Sequence, residues 1–390
     1  MTDLSAPPTL PAVFITRMAS ALPNTPVANE RMEAVLGQVG DRPSRARAIV
    51  LRNNGITSRH YALTEDGALT HSNAQLTAEA VRALTGEGFS LTDIDVLACG
   101  TSSPDQLMPN HAVMVHGELG SAPCEVVATA GICGSGITAM KYGYLSVLAG
   151  QARNAVVTGS EIASTFMRAG NFAAENAAAV AALDKRPAIA FEKDFLRWML
   201  SDGAGALLLQ DRPNARGLSL KIEWIDQYSY ASELPPCMYA GAEKRDDGRL
   251  QGWREFESAL EVAERSVMAV KQDVRLLEEG IRISSRKAFE AMIARRQLAV
   301  TEVDWYLPHY SSLHFRSVMW EVMPDDWKIP QARWFSNLQS KGNVGSASIY
   351  LMLEELFASG RLEAGQKILC YVPESGRFSI AFACMTVVGA

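Results

Sequence analysis

Apolar residues follow two patterns along the chain, and the two patterns alternate. Short apolar runs bounded by polar residues or glycine are typical of buried strands, whereas apolar residues that recur every three or four positions are typical of helices. The first half has predicted strands at 12–18, 93–100, 125–130 and 154–160, and predicted helices at 110–119 and 134–148. Because the two patterns alternate, we predict an α/β protein built from stacked layers of helices and strands.

Several stretches interrupt this alternation. An alanine-rich segment near 166–196 contains Pro187, does not fit the core pattern, and is interpreted as an insertion over the mouth of the functional site. The remaining interruptions are a polar tail at 1–11, a linker at 211–217, a loop at 237–253 and a helical stretch at 258–296 that we expect to break near Gly280.

Two parts of the chain resemble each other in the same order. The matching segments are 91–103 with 300–312, 131–135 with 342–346, and 148–151 with 363–366. Three ordered matches at nearly one offset predict two similar halves, 1–211 and 212–390. A pseudo-two-fold axis between the halves would bring the turns at Cys133 and Asn343 to one place, although they are far apart in sequence.

The composition of the chain excludes several classes of protein. A length of 390 residues with 48% hydrophobic and 21% charged residues is ordinary for a globular protein of two structural units. Six cysteines without C-x-x-C spacing predict neither a metal site nor disulfides, and fit a reducing cytoplasm. The apolar runs are too short for a membrane span, the N-terminus is unlike a secretory signal, and a net charge of −6 gives no reason to expect nucleic acid. Dinucleotide and P-loop motifs are absent, so we expect no cofactor.

Cys133 lies in a run of small residues directly before a predicted helix. The unpaired N–H groups and the dipole at a helix start stabilise a thiolate, and such a position lowers a thiol pKa from its usual value of about 8.5. Small neighbours also allow a substrate carbonyl to approach the backbone closely. We therefore expect Cys133 to be an activated nucleophile, and the alternative is an inert buried thiol.

Two further residues strengthen the case for a reactive cysteine. His309 ends a short apolar strand, and Asn343 lies in a second small-residue turn before a second helix. Alone, each has a plain structural interpretation. His309 would be a structural histidine whose hydrogen bonds are all made within the protein, and Asn343 would be an ordinary turn residue. Together with Cys133, an imidazole and a carboxamide provide a nucleophile and two hydrogen-bond donors, a combination suited to thioester chemistry.

These motifs resemble those of the thiolase-fold condensing enzymes, and most closely the β-ketoacyl-acyl-carrier-protein synthase III group. The segments 156–161 and 201–206 fit the same pattern, so the resemblance spans nearly the whole chain. It implies a thiolase fold, in which two pseudo-symmetric halves form a layered αβαβα sandwich, and a cytoplasmic homodimer. It also implies a decarboxylative Claisen condensation of an acyl group on Cys133 with a β-carboxy- or β-ketoacyl-carrier-protein thioester.

The resemblance also assigns roles to single residues. His309 and Asn343 would donate hydrogen bonds to the thioester oxygen of the second substrate. The backbone N–H groups of Cys133 and Arg377 would hold the acyl oxygen. Met108, just before Pro109, is where the family places an acyl-pocket residue that reaches across the dimer, and Phe378 is a second expected pocket residue.

The chain departs from the family pattern at two places. The family's glycine triplet is replaced here by Glu374-Ser-Gly-Arg377. Judged by its charges alone, this stretch would be a solvated surface turn. Residues 44–50 lack the aromatic side chain that stacks on adenine in the family, which favours carrier-protein thioesters over coenzyme A thioesters. The basic residues Arg52, Arg286, Arg295 and Arg296 are candidates for docking an acidic carrier protein, with a solvated helix face as the alternative.

Other functions stay open at this point. One alternative is an acyltransferase that moves the acyl group from Cys133 to an alcohol or amine without decarboxylation. Another is an inactive partner subunit of a heterodimeric synthase. A narrower resemblance, to the secondary-metabolism branch that joins two β-ketoacyl chains into dialkylresorcinol or aryl-polyene precursors, rests on the Glu-Ser-Gly-Arg-Phe stretch and the insertion.

Overall fold

The computed structural model describes residues 12–39, 47–172 and 196–390. The predicted tail and residues 173–195 of the predicted insertion lie outside these ranges. Within them, the chain forms a mixed α/β structure around one nine-stranded sheet, so the predicted fold class is confirmed.

Fifteen short and long strands lie in the described part of the chain. They are β1 (Val13–Ala21), β2 (Val27–Ala28), β3 (Ser58–Arg59), β4 (Val96–Thr101), β5 (Glu125–Ala130), β6 (Asn154–Glu161), β7 (Gly203–Gln210), β8 (Leu218–Ser229), β9 (Met238–Tyr239), β10 (Ala242–Lys244), β11 (Leu250–Gly252), β12 (Lys271–Gln272), β13 (Trp305–Pro308), β14 (Lys367–Glu374) and β15 (Ser379–Gly389). The large sheet has the order β13-β14-β15-β8-β1-β7-β6-β4-β5.

The large sheet consists of two sets of strands with the same order. The set that begins with β1 has the order β1-β7-β6-β4-β5, and the set that begins with β8 has the order β8-β15-β14-β13. The two orders correspond strand by strand, except that β5 has no counterpart in the second set. The directions also agree, since β4–β6 and β13–β14 are parallel while β6–β7 and β14–β15 are antiparallel. Residues 13–15 of β1 pair with 220–222 of β8 and join the two sets. This is the duplication that the sequence repeat predicts.

Ten α-helices in the described ranges cover and separate the strands. They are α1 (Met32–Leu36), α2 (Arg47–Asn54), α3 (Asn73–Arg82), α4 (His111–Leu119), α5 (Gly134–Leu148), α6 (Ala259–Glu264), α7 (Val274–Arg296), α8 (Phe315–Val322), α9 (Leu338–Lys341) and α10 (Ser348–Ala358). Helix α5 contacts β4 and β6 as well as β14 and β15, and α10 contacts β1, β7 and β13. These two helices therefore form a central layer, with α3 and α4 outside one set of strands and α7 outside the other.

The halves approach each other closely where two glycines face Ser346. A Cβ atom on Gly136 or on Gly159 would lie 2.4 Å from the Ser346 carbonyl oxygen. Only glycine fits at such a distance, because a non-bonded carbon and oxygen normally stay more than 3 Å apart. The contact brings the start of α5, with Cys133, next to the turn that contains Asn343.

Two local predictions in the second half are wrong. The segment 237–253 is predicted as a loop but contains the short strands β9, β10 and β11. Strands β10 and β11 pair with each other, and β9 pairs with β12. The helical stretch at 258–296 breaks at 265–273, between α6 and α7, and Gly280 lies inside the uninterrupted helix α7. Gly280 serves packing instead, because a Cβ there would lie 2.1 Å from the Phe378 ring.

Replacing Gly280 by alanine is expected to destabilise the fold. The added methyl group would enter the space of the fully buried Phe378 ring, and overpacking of this kind costs about 1–3 kcal/mol. Gly117→Ala in α4 is the matched control, because a Cβ there meets open space and the residue has an ordinary φ. Denaturant unfolding should show a loss for the first variant, and unchanged or slightly higher stability for the second. Equal stability of the two variants would contradict this account of Gly280.

Candidate active site

Cys133 lies at the turn between strand β5 and helix α5. Gly131, with a φ of 154°, begins the turn, and Cys133 is the N-cap residue of α5 with helical dihedral angles. The side chain is 8% exposed. The predicted strand, turn and helix around this residue are confirmed with the predicted bounds.

Two adjoining cavities meet at Cys133. The larger has a volume of about 490 Å³, and its lining includes Cys133, Asn343, Glu161, Ser311 and Glu374. A smaller cavity of about 30 Å³ shares Cys133 and Ser311 with the larger one and is also lined by His309. The structure therefore brings the three predicted catalytic side chains, from both halves of the chain, to one buried place.

Asn343 is held firmly by its surroundings. Its backbone N–H donates to Met199, and its carbonyl accepts from the Ser201 N–H at 2.9 Å. Its side-chain Oδ1 accepts the Gly345 N–H at 3.0 Å. Because the oxygen is used within the turn, Nδ2 is the end of the amide that can donate to a substrate.

His309 follows strand β13, and its backbone N–H donates to the Tyr371 carbonyl at 2.8 Å. The residue is 4% exposed. Burial lowers the pKa of His309 to about 4, because a charged imidazolium is disfavoured away from water. The ring is therefore neutral at physiological pH and presents one N–H donor.

Glu161, at the end of β6, connects the two halves beneath the cavity. Its carboxylate accepts hydrogen bonds from the hydroxyls of Ser102 and Ser103 at 2.7 and 2.6 Å, and from the Ser346 N–H at 3.3 Å. Burial raises the pKa of Glu161 above its ordinary value. Because Ser346 lies in the Asn343 turn, this network fixes that turn relative to β4 and β6.

The electrostatics at Cys133 differ from the prediction. Burial raises the pKa of the Cys133 thiol, and the nearby carboxylates of Glu374 and Glu161 raise it further. The expected lowering of the thiol pKa is therefore wrong for this structure. The helix start does carry an anion, but that anion is the Glu374 carboxylate, which accepts the N–H groups of Ile132 and Gly134.

Three other candidate residues have different surroundings. Arg377 lines the larger cavity, and its side chain turns to the Leu234 carbonyl at 3.2 Å. Phe378 is fully buried against Gly280 and does not line either of the two cavities. Met108 is 85% exposed, so within one chain it does not line them either.

The four candidate docking arginines do not form one patch. Arg52 is exposed on α2, whereas the other three lie on α7. Arg296 makes a two-pronged contact with the buried Asp226 carboxylate at 2.8 and 2.6 Å, and Arg295 lies 3.7 Å from the same group. Arg286 pairs with Glu290 at 2.7 Å. Intrachain carboxylates thus hold the three candidate arginines that lie on α7.

Residues that the sequence did not single out form much of the cavity wall. One group of wall residues comes from the short strands β9, β11 and β12, and its members are Met238, Tyr239, Leu250 and Gln272. The sequence of this stretch has no periodicity that predicts a cavity wall. Further wall residues come from the repeat and from the two ends of the predicted insertion, among them Ser102, Ser103, Ser311, Phe166 and Leu196. Of these, the serines could have been found, because the repeat aligns Ser102 with Ser311.

Two features are absent from the part of the chain that the structure describes. Among these residues, no group of three or more His, Cys, Asp or Glu side chains is placed to hold a metal ion. None of the helices in the described ranges has both the length and the apolar character that crossing a bilayer requires.

The duplicated strand order and the paired glycine turns define the thiolase fold. Residues 293–378 match the family of 3-oxoacyl-[acyl-carrier-protein] synthase III C-terminal domains. The β-ketoacyl-[acyl-carrier-protein] synthase III of Methylococcus capsulatus is 25% identical over 322 residues, which are 82% of this chain and 84% of that protein.

Solved structures agree with the sequence matches. AbyA1, a tetronic acid condensing enzyme, superposes with a TM-score of 0.72 at 23% identity, covering 96% of this chain and 99% of that chain. The synthase III of Xanthomonas oryzae gives a TM-score of 0.70 at 20% identity, covering 96% and 98%. The chain therefore has the thiolase fold, and in sequence it is similar to the synthase III enzymes.

Proposed function

We propose that the protein catalyses a decarboxylative Claisen condensation between two thioesters, at least one of them held on an acyl carrier protein. The observation that carries the proposal is the meeting of Cys133, His309 and Asn343 at two cavities that share Cys133. The matches to synthase III enzymes supply the reaction class.

The first half-reaction loads the enzyme. The Cys133 sulfur attacks the carbonyl carbon of an acyl thioester, and the C–S bond to the carrier breaks with its electron pair on the carrier sulfur. The proton of the Cys133 thiol passes to this departing thiolate, which leaves as the carrier thiol. The N–H of Cys133 stays available for the acyl oxygen, because Glu374 takes the N–H groups on either side of it. Arg377, which lines the same cavity, would supply the second N–H.

The second half-reaction forms the carbon–carbon bond. A β-carboxylated thioester loses CO₂, and its electron pair becomes an enolate whose oxygen accepts hydrogen bonds from the neutral His309 ring and Asn343 Nδ2. The enolate carbon then attacks the acyl carbonyl, and collapse of the tetrahedral intermediate releases the Cys133 sulfur and a β-ketoacyl thioester. Donors placed in advance at a developing oxyanion typically contribute about 2.7–4 kcal/mol each.

The proposal is tested by following both products. The protein is incubated with acyl-carrier-protein thioesters and then with a malonyl-carrier-protein donor. We expect an acyl adduct on the Cys133 peptide, followed by release of CO₂ and a β-keto product. Adduct formation without CO₂, in the presence of an alcohol or amine, would favour the acyltransferase alternative. Failure of every thioester to load Cys133 would favour the inactive-partner alternative.

We also propose that the enzyme is a homodimer. Strand β5 is the edge of the large sheet, and three of its residues, Glu125, Ala128 and Ala130, are exposed. An unpaired edge of this length is a template for pairing with a second strand. Leu107 and Met108 are 67% and 85% exposed, respectively, in the connection between β4 and α4. A partner subunit on this side would cover both Leu107 and Met108. Met108 is also the position where the family resemblance places a pocket residue that reaches into the other subunit.

Introducing a charge on this edge is expected to separate the subunits. Ala128→Asp places a carboxylate on β5 where two copies would meet, while the side chain is exposed in one chain. Light scattering after gel filtration should give a dimer for the parent protein and a monomer for the variant. Ala364→Asp, on an exposed loop before β14, is the control and should stay dimeric. A parent protein that runs as a monomer would overturn the proposal.

A further inference from the structure

Glu374 makes an unusual contact with the nucleophile turn. It lies at the end of β14 in the second half, and its Oε2 accepts the Ile132 N–H at 3.1 Å and the Gly134 N–H at 2.9 Å. One carboxylate oxygen therefore holds the backbone on both sides of Cys133. Charge-assisted hydrogen bonds of this kind are stronger than neutral ones.

The glycines beside Cys133 fit this carboxylate. A Cβ on Gly134 would lie 2.7 Å from Glu374 Oε2, and a Cβ on Gly131 would lie 3.1 Å from the same atom. A side chain at either position would therefore crowd Oε2. The small residues of the turn thus admit a carboxylate from the other half of the chain, and not only a substrate carbonyl.

We propose that Glu374 is a positioning residue that fixes the nucleophile turn and keeps the Cys133 sulfur protonated in the resting enzyme. The inference rests on the proposed function in so far as Cys133 is the residue that becomes acylated. By taking the anion-binding end of α5, Glu374 directs only the Cys133 N–H to the substrate. The Cys133 thiol then gives up its proton during acylation, when the departing carrier thiolate takes it up.

The charges around Cys133 all bear on this proposal. Glu374 faces it from β14 and Glu161 from the end of β6, and both disfavour a second negative charge. His309, after β13, is neutral and adds no compensating positive charge. Arg377 lines the same cavity and its guanidinium binds the Leu234 carbonyl, while Tyr310 lines the smaller cavity. Removing the Glu374 charge should therefore lower the pKa of Cys133.

The test is the pH dependence of Cys133 alkylation by iodoacetamide, read by mass spectrometry of the Cys133 peptide. We expect Glu374→Gln to move the midpoint of the profile down by about one pH unit, which makes alkylation about tenfold faster below the midpoint. Glu374→Asp keeps the charge but moves it away from Cys133 by the length of one methylene group. Its midpoint should therefore lie between those of the parent protein and Glu374→Gln. Glu363→Gln, at an exposed loop, is the matched control and should follow the parent profile.

The outcomes separate this inference from the proposed function. A Glu374→Gln profile that overlays the parent profile, or moves upward, overturns the role of Glu374 even if thioesters still acylate Cys133. A downward shift supports that role even if no thioester acylates Cys133, in which case the proposed function fails alone. A purely structural role would lower the melting temperature without moving the midpoint. If Glu374→Gln does not fold, the intermediate midpoint of Glu374→Asp decides.

Discussion

Replacing Cys133 by serine is expected to abolish covalent loading and to lower turnover by about 10⁶-fold, the order of the loss when a hydrolase loses its nucleophile. A serine hydroxyl is far less acidic than a thiol, and nothing in the described site is positioned to activate it strongly. The His309 ring is neutral and could accept a proton, but Glu374 and Glu161 would disfavour an alkoxide at this position as they disfavour a thiolate.

The measurement is intact-protein mass spectrometry after incubation with an acyl-carrier-protein thioester, together with product formation. Cys124→Ser is the matched control, because that thiol is half-buried and lies outside both cavities. The control should load one acyl group and turn over like the parent protein. An acyl adduct that persists in Cys133→Ser, located on another residue, would end the assignment of Cys133 as the nucleophile.

The sequence predicts the site where local signals and the repeat coincide. Small residues before an apolar helix predict the Cys133 turn with its bounds, because a tight turn and helical spacing are both local properties. His309 and Asn343 emerge because the repeat aligns their segments with 100–103 and 131–135 of the first half. Side chains that the duplication makes equivalent can therefore be located without any structure.

Features that depend on distant contacts are missed. Glu374 is 240 residues from Gly134 in sequence, and its charge alone predicts a solvated turn. The error about the Cys133 pKa has the same origin, because a local pattern gives the helix dipole but neither the burial nor the two carboxylates. Gly280 misleads for a related reason, since its role is to admit the Phe378 ring, and not to end a helix.

Asn343→Asp is expected to separate the two half-reactions. Aspartate keeps the oxygen that accepts the Gly345 N–H, so the turn should be preserved, but it replaces the Nδ2 donor by a second oxygen. Loss of one donor to a developing oxyanion lowers the rate by about 10²- to 10³-fold, and the added charge would repel the enolate further. Acyl loading does not use this donor, so the acyl-Cys133 adduct should form at nearly the parent rate and accumulate.

The acyl adduct is followed by mass spectrometry of samples quenched at successive times, and CO₂ release is measured in parallel. These two measurements distinguish accumulation of the adduct from a general loss of structure. Asn110→Asp is the matched control, because Asn110 uses only its oxygen to cap α4, and aspartate caps a helix about equally well. If loading and condensation fall together in Asn343→Asp while the control is normal, then Asn343 acts before the acyl group reaches Cys133. The donor role in the second step would then belong to His309 alone.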